Sequence, residues 1–304
     1  MLKEHKRFPG DSWFAGGAWT WKGFVGSNFG SIERMTPALL ACREEGVENI
    51  VITTWGNDGT PCSYWSIIPS LYAMIRMYEG ETDMTAIKEG FEKITGEPYD
   101  DMMMLDLPAD WGNNSKINTT PHNIALYNDA FLGFFDTALP QKYVENYKEL
   151  APVLEALADK GGRFAYLYAN MANLCKALSI KYDLGARTRK AYLDKDSSVL
   201  QSLVSEYLDA ASMVEAFCDS MRNIWYKENK PFGFEPQEHR LGGLAYRLRS
   251  LSKRLNSYIK LEIPSIPELE TEILPYFGDA RPQAVGEGLP HLEGWRNMVT
   301  VNRI

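Results

Sequence analysis

The chain has 304 residues, 45% of them hydrophobic, which is enough to bury a sizeable core and to form two domains. Its formal net charge is −8, and its lysines and arginines are scattered among acidic residues, which excludes the basic stripe of a protein that binds nucleic acid or anionic lipid. No apolar run reaches the roughly 20 residues of a membrane span, and the first residues lack the apolar core of a signal peptide. The sequence therefore predicts a soluble, cytoplasmic protein with neither nucleic acid nor membrane as a partner.

The cysteines give no sign of a disulfide framework or a metal centre. Cys42, Cys62, Cys175 and Cys218 are widely spaced, and no two of them form a C-x-x-C pair. Few histidines lie near them, so a zinc site is not indicated either. We expect four free thiols that are buried or partly buried, and we assign no metal and no cofactor.

The first 80 residues alternate between strands and helices. Residues 12–21 (SWFAGGAWTW) and 47–55 (VENIVITTW) are apolar runs that predict buried strands. A helix is predicted between them over residues 31–46, capped by Ser31, and a second helix follows over about residues 67–78. This order is typical of a parallel α/β sheet or barrel, although two such units cannot close a core by themselves.

Beyond residue 80 the apolar residues recur at the three- and four-residue spacing of helices. The clearest stripes are Leu167, Met171, Leu174 and Leu178, then Leu200, Leu203, Tyr207, Ala210, Val214, Phe217, Met221 and Ile224, then Leu241, Leu244, Leu248, Leu251, Leu255 and Tyr258. They predict an antiparallel helical bundle, with Gly185 ending the first of the three helices. Residues 277–297 are rich in Gly and Pro and predict a loop, followed by a short strand over residues 298–301. We therefore divide the chain into two domains, residues 1–80 and residues 81–304.

Aromatic residues stand where the two predicted strands end. Trp19 and Trp21 close the first strand, Trp55 closes the second, and Asn57 and Asp58 follow in a glycine-flanked turn. Ligands of parallel α/β folds bind at the carboxyl ends of the strands. A sugar ring needs flat apolar walls and a few polar contacts for its rim, and these residues offer both. In the alternative interpretation the indoles only fill the junction between the two domains, and the polar residues only form a turn.

Four segments in order resemble glycoside hydrolase family 20. They are WFAGGAWTWKGF (residues 13–24), ALLACREEGVENIVITTWGNDG (38–59), KYDLGARTRKAY (181–192) and WYKENKPFGFEPQEHRLGGLAYRL (225–248). They are most similar to the C-terminal half of the bacterial β-N-acetylhexosaminidases that carry a helical C-terminal domain. The resemblance implies that residues 1–80 supply strands seven and eight of a (β/α)8 TIM barrel. It also implies that residues 81–304 form the helical domain, through which the protein forms a homodimer.

The same resemblance implies roles for the five candidate residues. Trp19 or Trp21 would help to enclose the 2-acetamido group of the sugar, and Trp55 would lie under the pyranose ring. Asn57 stands where the family has a carboxyl or amide group that binds the hydroxyls at C4 and C6. An amide can donate and accept hydrogen bonds but lacks the charge that strengthens them. Asp58 is adjacent, so either side chain can be the one that reaches the sugar rim.

The catalytic pair of the family is not found in this sequence. Family members cleave terminal β-linked GlcNAc or GalNAc by substrate assistance, with an adjacent Asp and Glu at the end of barrel strand four. No Asp-Glu dipeptide occurs in the 304 residues, so we assign no catalytic residue and expect the chain alone to be inactive. Three interpretations remain open: a part of a glycosidase that supplies sugar-binding aromatics, a noncatalytic sugar-binding protein, or a helical dimerisation module.

Overall fold

The computed structural model describes residues 2–21, 23–109, 121–139 and 143–274. Its sheet has two parallel strands, β1 (Trp13–Gly17) and β2 (Asn49–Thr53), paired from Trp13 opposite Asn49 to Gly17 opposite Thr53. Both strands are shorter than the apolar runs that predicted them. Trp19, Trp21 and Trp55 therefore lie just beyond the carboxyl ends of the strands.

Helices make up most of the described chain. In order they are α1 (Leu2–His5), α2 (Asn28–Glu44), α3 (Ile68–Glu79), α4 (Met84–Thr95), α5 (Tyr99–Met103), α6 (Pro121–Tyr127), α7 (Tyr143–Asp159), α8 (Ala165–Lys181), α9 (Leu184–Leu193), α10 (Ser197–Glu228), α11 (Glu235–Ile259) and α12 (Pro267–Glu270). A 3₁₀ turn over Tyr64–Ile67 leads into α3. None of the described helices is both long and apolar enough to cross a membrane.

The long helices pack as the apolar stripes predicted. Helix α7 packs on α8, α8 on α10, and α10 on α11, and short connections join α7 to α8 and α10 to α11, as in an antiparallel bundle. The predicted end of the first helix at Gly185 is wrong. Helix α8 ends at Lys181, and Gly185 lies inside α9, where its Cα packs against the backbone of Ala130 so closely that a Cβ would come within 2.5 Å. Close backbone packing, not helix termination, explains this glycine.

Helix α2 begins earlier than predicted. Its N-cap is Ser27, and Ser31 lies one turn inside, where its hydroxyl donates to the Ser27 carbonyl and accepts from the Trp19 amide at 2.9 Å. The predicted capping role of Ser31 is therefore wrong. Its hydroxyl instead ties the helix to the end of β1.

Two hydrophobic cores hold the described chain together. The smaller lies between the sheet and helices α2 and α3, and its buried members are Ala18, Met35, Leu39, Ile67 and Met74. The larger fills the bundle, but it also takes in Phe24 from the loop after β1 and Ala73 and Met77 from α3. Because α3 contributes to both cores, the domain boundary at residue 80 stays a prediction.

The two faces of the sheet differ in their cover. Phe14, Ile50 and Ile52 pack against the smaller core. The other face carries Trp13, which is 68% exposed, and Val51, which is 40% exposed. A parallel sheet normally has both faces covered, so this exposed face is unusual for strands of this type.

All four cysteines are free thiols in buried positions, as predicted. Burial raises the pKa of the Cys62 thiol to about 12 and that of Cys218 to about 11, so both thiols stay protonated at neutral pH. The predicted loop over residues 277–297 and the strand over residues 298–301 lie outside the described residues.

Candidate functional site

The two strands bring the candidate residues to one edge of the sheet. Gly17 and Thr53 are paired at the carboxyl ends, and the Ala18 amide donates to the Thr53 carbonyl at 2.9 Å. One step further, the Thr20 hydroxyl donates to the Trp55 carbonyl at 2.8 Å. The segments that follow β1 and β2 therefore leave the sheet side by side.

Trp19 and Trp21 form a packed aromatic pair. Their ring centroids are 5.6 Å apart, and the planes are inclined by 47°. The guanidinium carbon of Arg34 lies 3.8 Å from the centroid of the Trp19 ring, which is a close cation–π contact. A Cβ at Gly17 would come 2.6 Å from Cη2 of Trp21, so this indole packs directly on the backbone of β1. Both rings are half-buried, because Arg34 covers part of Trp19 and the β1 backbone covers part of Trp21.

Trp55 differs from this pair because its indole is 61% exposed. Its ring nitrogen donates to the Thr53 hydroxyl at 2.8 Å, and that hydroxyl donates in turn to the Gly16 carbonyl at 2.9 Å. The hydrogen bonds fix the edge of the indole to the strand ends. A large aromatic surface that is oriented yet open to solvent is what an apolar ring face requires from a binding platform.

Asn57 and Asp58 belong to a tight loop, residues 57–60, which we call the β2 loop. The Thr60 amide donates to the Asn57 carbonyl at 3.0 Å, which closes a turn. The Asp58 carbonyl accepts from Gln237 at 2.8 Å and from Arg240 at 2.6 Å, both on helix α11. The β2 loop thus contacts the helical bundle through its backbone, while Trp55 stands just before it.

The segment after β1 also contacts the bundle. Phe24 is buried, and its ring meets that of Phe217 on α10 edge to face at 4.9 Å. Gly23 has a φ of 103°, and a Cβ there would come within 2.3 Å of polar atoms of His122 and Asn123 on α6. Only glycine fits this left-handed, crowded position. The bundle therefore holds both segments that carry the candidate residues.

A half-buried carboxylate, that of Glu228, lies close to the β2 loop. Both oxygens of Glu228 accept from the Ser63 hydroxyl at 2.8 Å, and Oε1 also accepts from the Tyr166 hydroxyl at 2.8 Å. Burial raises the pKa of Glu228, although the Ser63 and Tyr166 hydrogen bonds lower it. Ser63 in addition accepts from the Trp65 amide at 3.1 Å. These contacts anchor the chain where it enters the 3₁₀ turn, so we assign Glu228 a structural role.

The arrangement offers an open aromatic face, a packed aromatic pair and a polar turn at one sheet edge. Within the described ranges, no group of three or more His, Cys, Asp or Glu could hold a metal ion. Sequence reasoning did not find Arg34 or Gln237 as parts of this site. Arg34 follows Trp19 by fifteen positions and Gln237 lies far along the chain, so no spacing signal marks them.

Residues 99–286, more than half of the chain, match the family described as the Glycoside Hydrolase 20C C-terminal domain. The matched range begins at α5 and contains the bundle helices, whereas the strands and the five candidate residues lie before it. No curated protein matches the chain. The match therefore bears on the helical part, and the roles of Trp19, Trp21, Trp55, Asn57 and Asp58 stay predictions.

Proposed function

Because the chain belongs to the glycoside hydrolase 20C family, whose C-terminal domain it carries, we propose that it is part of an exo-β-N-acetylhexosaminidase. The proposed substrates are glycans that end in β-linked GlcNAc or GalNAc. In this proposal β1 and β2 are strands seven and eight of a (β/α)8 barrel. The exposed face with Trp13 and Val51 supports this, because a closed barrel would cover it.

The proposed chemistry is substrate-assisted hydrolysis, in which the 2-acetamido oxygen of the sugar attacks C1 while a carboxylic acid protonates the leaving oxygen. The chain contains no Asp-Glu dipeptide. We therefore place the orienting Asp and the acid Glu outside these 304 residues. This chain contributes binding surface: Trp55 for the pyranose face, Trp19 and Trp21 for the acetamido group, and Asn57 or Asp58 for the hydroxyl rim.

One observation carries the proposal, namely the Trp55 indole that is 61% exposed at the carboxyl end of a parallel strand. An aromatic side chain that filled the junction between this sheet and the bundle would be buried between them, as Phe24 is. Here the ring edge is hydrogen-bonded and most of the indole surface is open to solvent. Stacking of a ring on an aromatic side chain contributes about 1–3 kcal/mol, by analogy with nucleobases.

The test is a titration of the chain with N-acetylglucosamine, followed through the indole N–H signals of its tryptophans in NMR spectra. We expect saturable shifts that include Trp55, and weaker shifts with glucose, which lacks the acetamido group. Trp55→Ala should weaken binding about tenfold or more. Its free energy of unfolding should change little, because the side chain is mostly exposed.

Trp13→Ala is the matched control, since Trp13 is similarly exposed, at 68%, but lies at the amino end of β1. It should leave the affinity for N-acetylglucosamine unchanged. If Trp55→Ala keeps the affinity but lowers the stability by the roughly 3–5 kcal/mol of a core truncation, Trp55 is packing and the sugar platform is wrong.

We also propose that the protein forms a homodimer through its helical domain, as the resemblance implies. Sedimentation velocity at micromolar concentration tests this directly. A single species with the mass of a 34.5 kDa monomer over the whole concentration range would contradict it.

A further inference from the structure

The β2 loop ends in a backbone conformation that its last residue, Thr60, does not favour. Asp58, Gly59 and Thr60 all have left-handed φ angles, of 58°, 80° and 53°. This region is accessible to glycine but disfavoured for other residues, most of all for a β-branched residue such as threonine. Thr60 is the residue of the three for which this conformation is most unfavourable, and such a conformation persists only when its surroundings hold it.

Two side chains from helix α11 supply that support, and we call them the α11 clamp: Gln237 and Arg240. The Gln237 amide donates to the Asp58 carbonyl at 2.8 Å and to the Gly59 carbonyl at 3.3 Å. The Arg240 guanidinium donates to the same Asp58 carbonyl at 2.6 Å. Three positions apart, the two residues lie on one face of the helix, so their donors converge on a single point of the loop.

The clamp contacts are partly buried, with Gln237 buried and Arg240 half-buried. Gln237 is 1% exposed, and a Cβ at Gly59 would come within 3.0 Å of its amide nitrogen, so helix and loop are in close contact. Hydrogen bonds from a charged guanidinium to a carbonyl are stronger than neutral ones, and low exposure limits competition from water. The clamp therefore has the strength to select one loop conformation.

The rest of the segment is already fixed at both ends. The Thr20 hydroxyl holds the Trp55 carbonyl before the loop, and the Ser63–Glu228 hydrogen bonds hold the chain after it. Between these anchors the clamp contacts the tip of the loop. The tip carries Asn57 and Asp58, the two residues proposed for the hydroxyl rim.

We infer that Gln237 and Arg240 are positioning residues through which the helical domain sets the affinity for the hexosamine, by way of the contacts to its hydroxyl groups. They hold the β2 loop in its left-handed form, so that Asn57 and Asp58 keep a fixed place beside Trp55. The identity of the ligand in this inference rests on the proposed function. The clamp itself rests only on the hydrogen bonds from Gln237 and Arg240.

The experiment compares Arg240→Met, Arg240→Lys and the control Arg249→Met in the full chain. Arg249 lies on the same helix but pairs with Glu215 on α10 instead of the loop. Two quantities are measured: amide hydrogen exchange of residues 57–60 without sugar, and the Kd for N-acetylglucosamine. Arg240→Met should raise loop exchange by about tenfold and weaken sugar binding severalfold, while bundle exchange stays the same. Arg240→Lys should keep part of the loop protection and part of the sugar affinity. Arg249→Met should change neither loop exchange nor affinity.

Gln237→Met is a second variant in case Arg240→Met does not fold, and it should loosen the loop in the same way. If loop exchange in Arg240→Met and Gln237→Met equals that in Arg249→Met, the clamp is overturned, regardless of the measured sugar affinity. A loosened loop with unchanged affinity overturns the positioning role. If the wild-type chain binds no N-acetylglucosamine, the proposed function fails and the sugar role falls with it, whereas the exchange data still decide whether the clamp exists.

Discussion

At the scale of single residues, Lys181 is the most unusual side chain of the bundle. It is 2% exposed, and its ammonium group donates to the Ala125 carbonyl at 2.6 Å and to the Asn128 carbonyl. Burial lowers its pKa to about 8, although the nearby Asp129 and Asp136 carboxylates raise it. The unfolded chain keeps this proton up to a pKa of about 10.4. Between these two values the unfolded state binds more protons, so the contribution of Lys181 to stability increases as pH rises from about 8 to about 10.

Lys181→Met tests this, because it removes the titration and keeps a side chain of similar length. Urea unfolding of both proteins from pH 7 to 10.5 gives the difference in their free energies of unfolding. Buried tyrosines and cysteines titrate in both proteins and cancel in the difference. We expect the variant to lose up to about 3 kcal/mol relative to the wild type across this range. A difference that does not depend on pH would show that the Lys181 pKa is not lowered.

Sequence alone could not have revealed this site. Lysine is rarely buried, and Lys181 stands at the end of a helix, where a cation is expected to face solvent near the carboxyl terminus. Its burial comes from the segment around Ala125 and Asn128, more than fifty positions earlier. The position of Trp55 at the carboxyl end of β2, by contrast, was predictable, because the apolar run that forms this strand ends at the tryptophan.

At the scale of elements, periodic segments were predicted well and irregular ones were not. The stripes from Leu200 to Ile224 and from Leu241 to Tyr258 fall within α10 and α11. Apolar residues repeated every three or four positions line one face of an α-helix, so this spacing predicts a helix directly. Ser31 and Gly185 were misassigned because a serine or a glycine can end a helix but can equally serve tertiary packing. The hydrogen bonds from α11 to the β2 loop join residues about 180 positions apart, and no local pattern encodes them.

At the scale of the whole molecule, the resemblance to glycoside hydrolase family 20 is confirmed by the family match over the helical part. The bundle buries long apolar stripes in a continuous core. Within the part of the chain that the structure describes, the sheet has two strands, one covered face and one face with exposed Trp13 and Val51. The two parts should therefore differ in local stability, since a two-stranded sheet covered on one side has few contacts to lose when it opens.

Amide hydrogen exchange of the isolated chain measures that difference. Amides of β1 and β2 should exchange roughly 100-fold faster than buried amides of α8 and α10, because sheet opening does not require the bundle to unfold. Helix α3 is the internal reference, since its residues Ala73 and Met77 belong to the larger core, and its exchange should fall between the two. Protection of β1 and β2 equal to that of α10 in a monomeric sample would contradict the prediction. In that case the sheet would be stable without further barrel strands, and the exposed face would no longer support the barrel proposal.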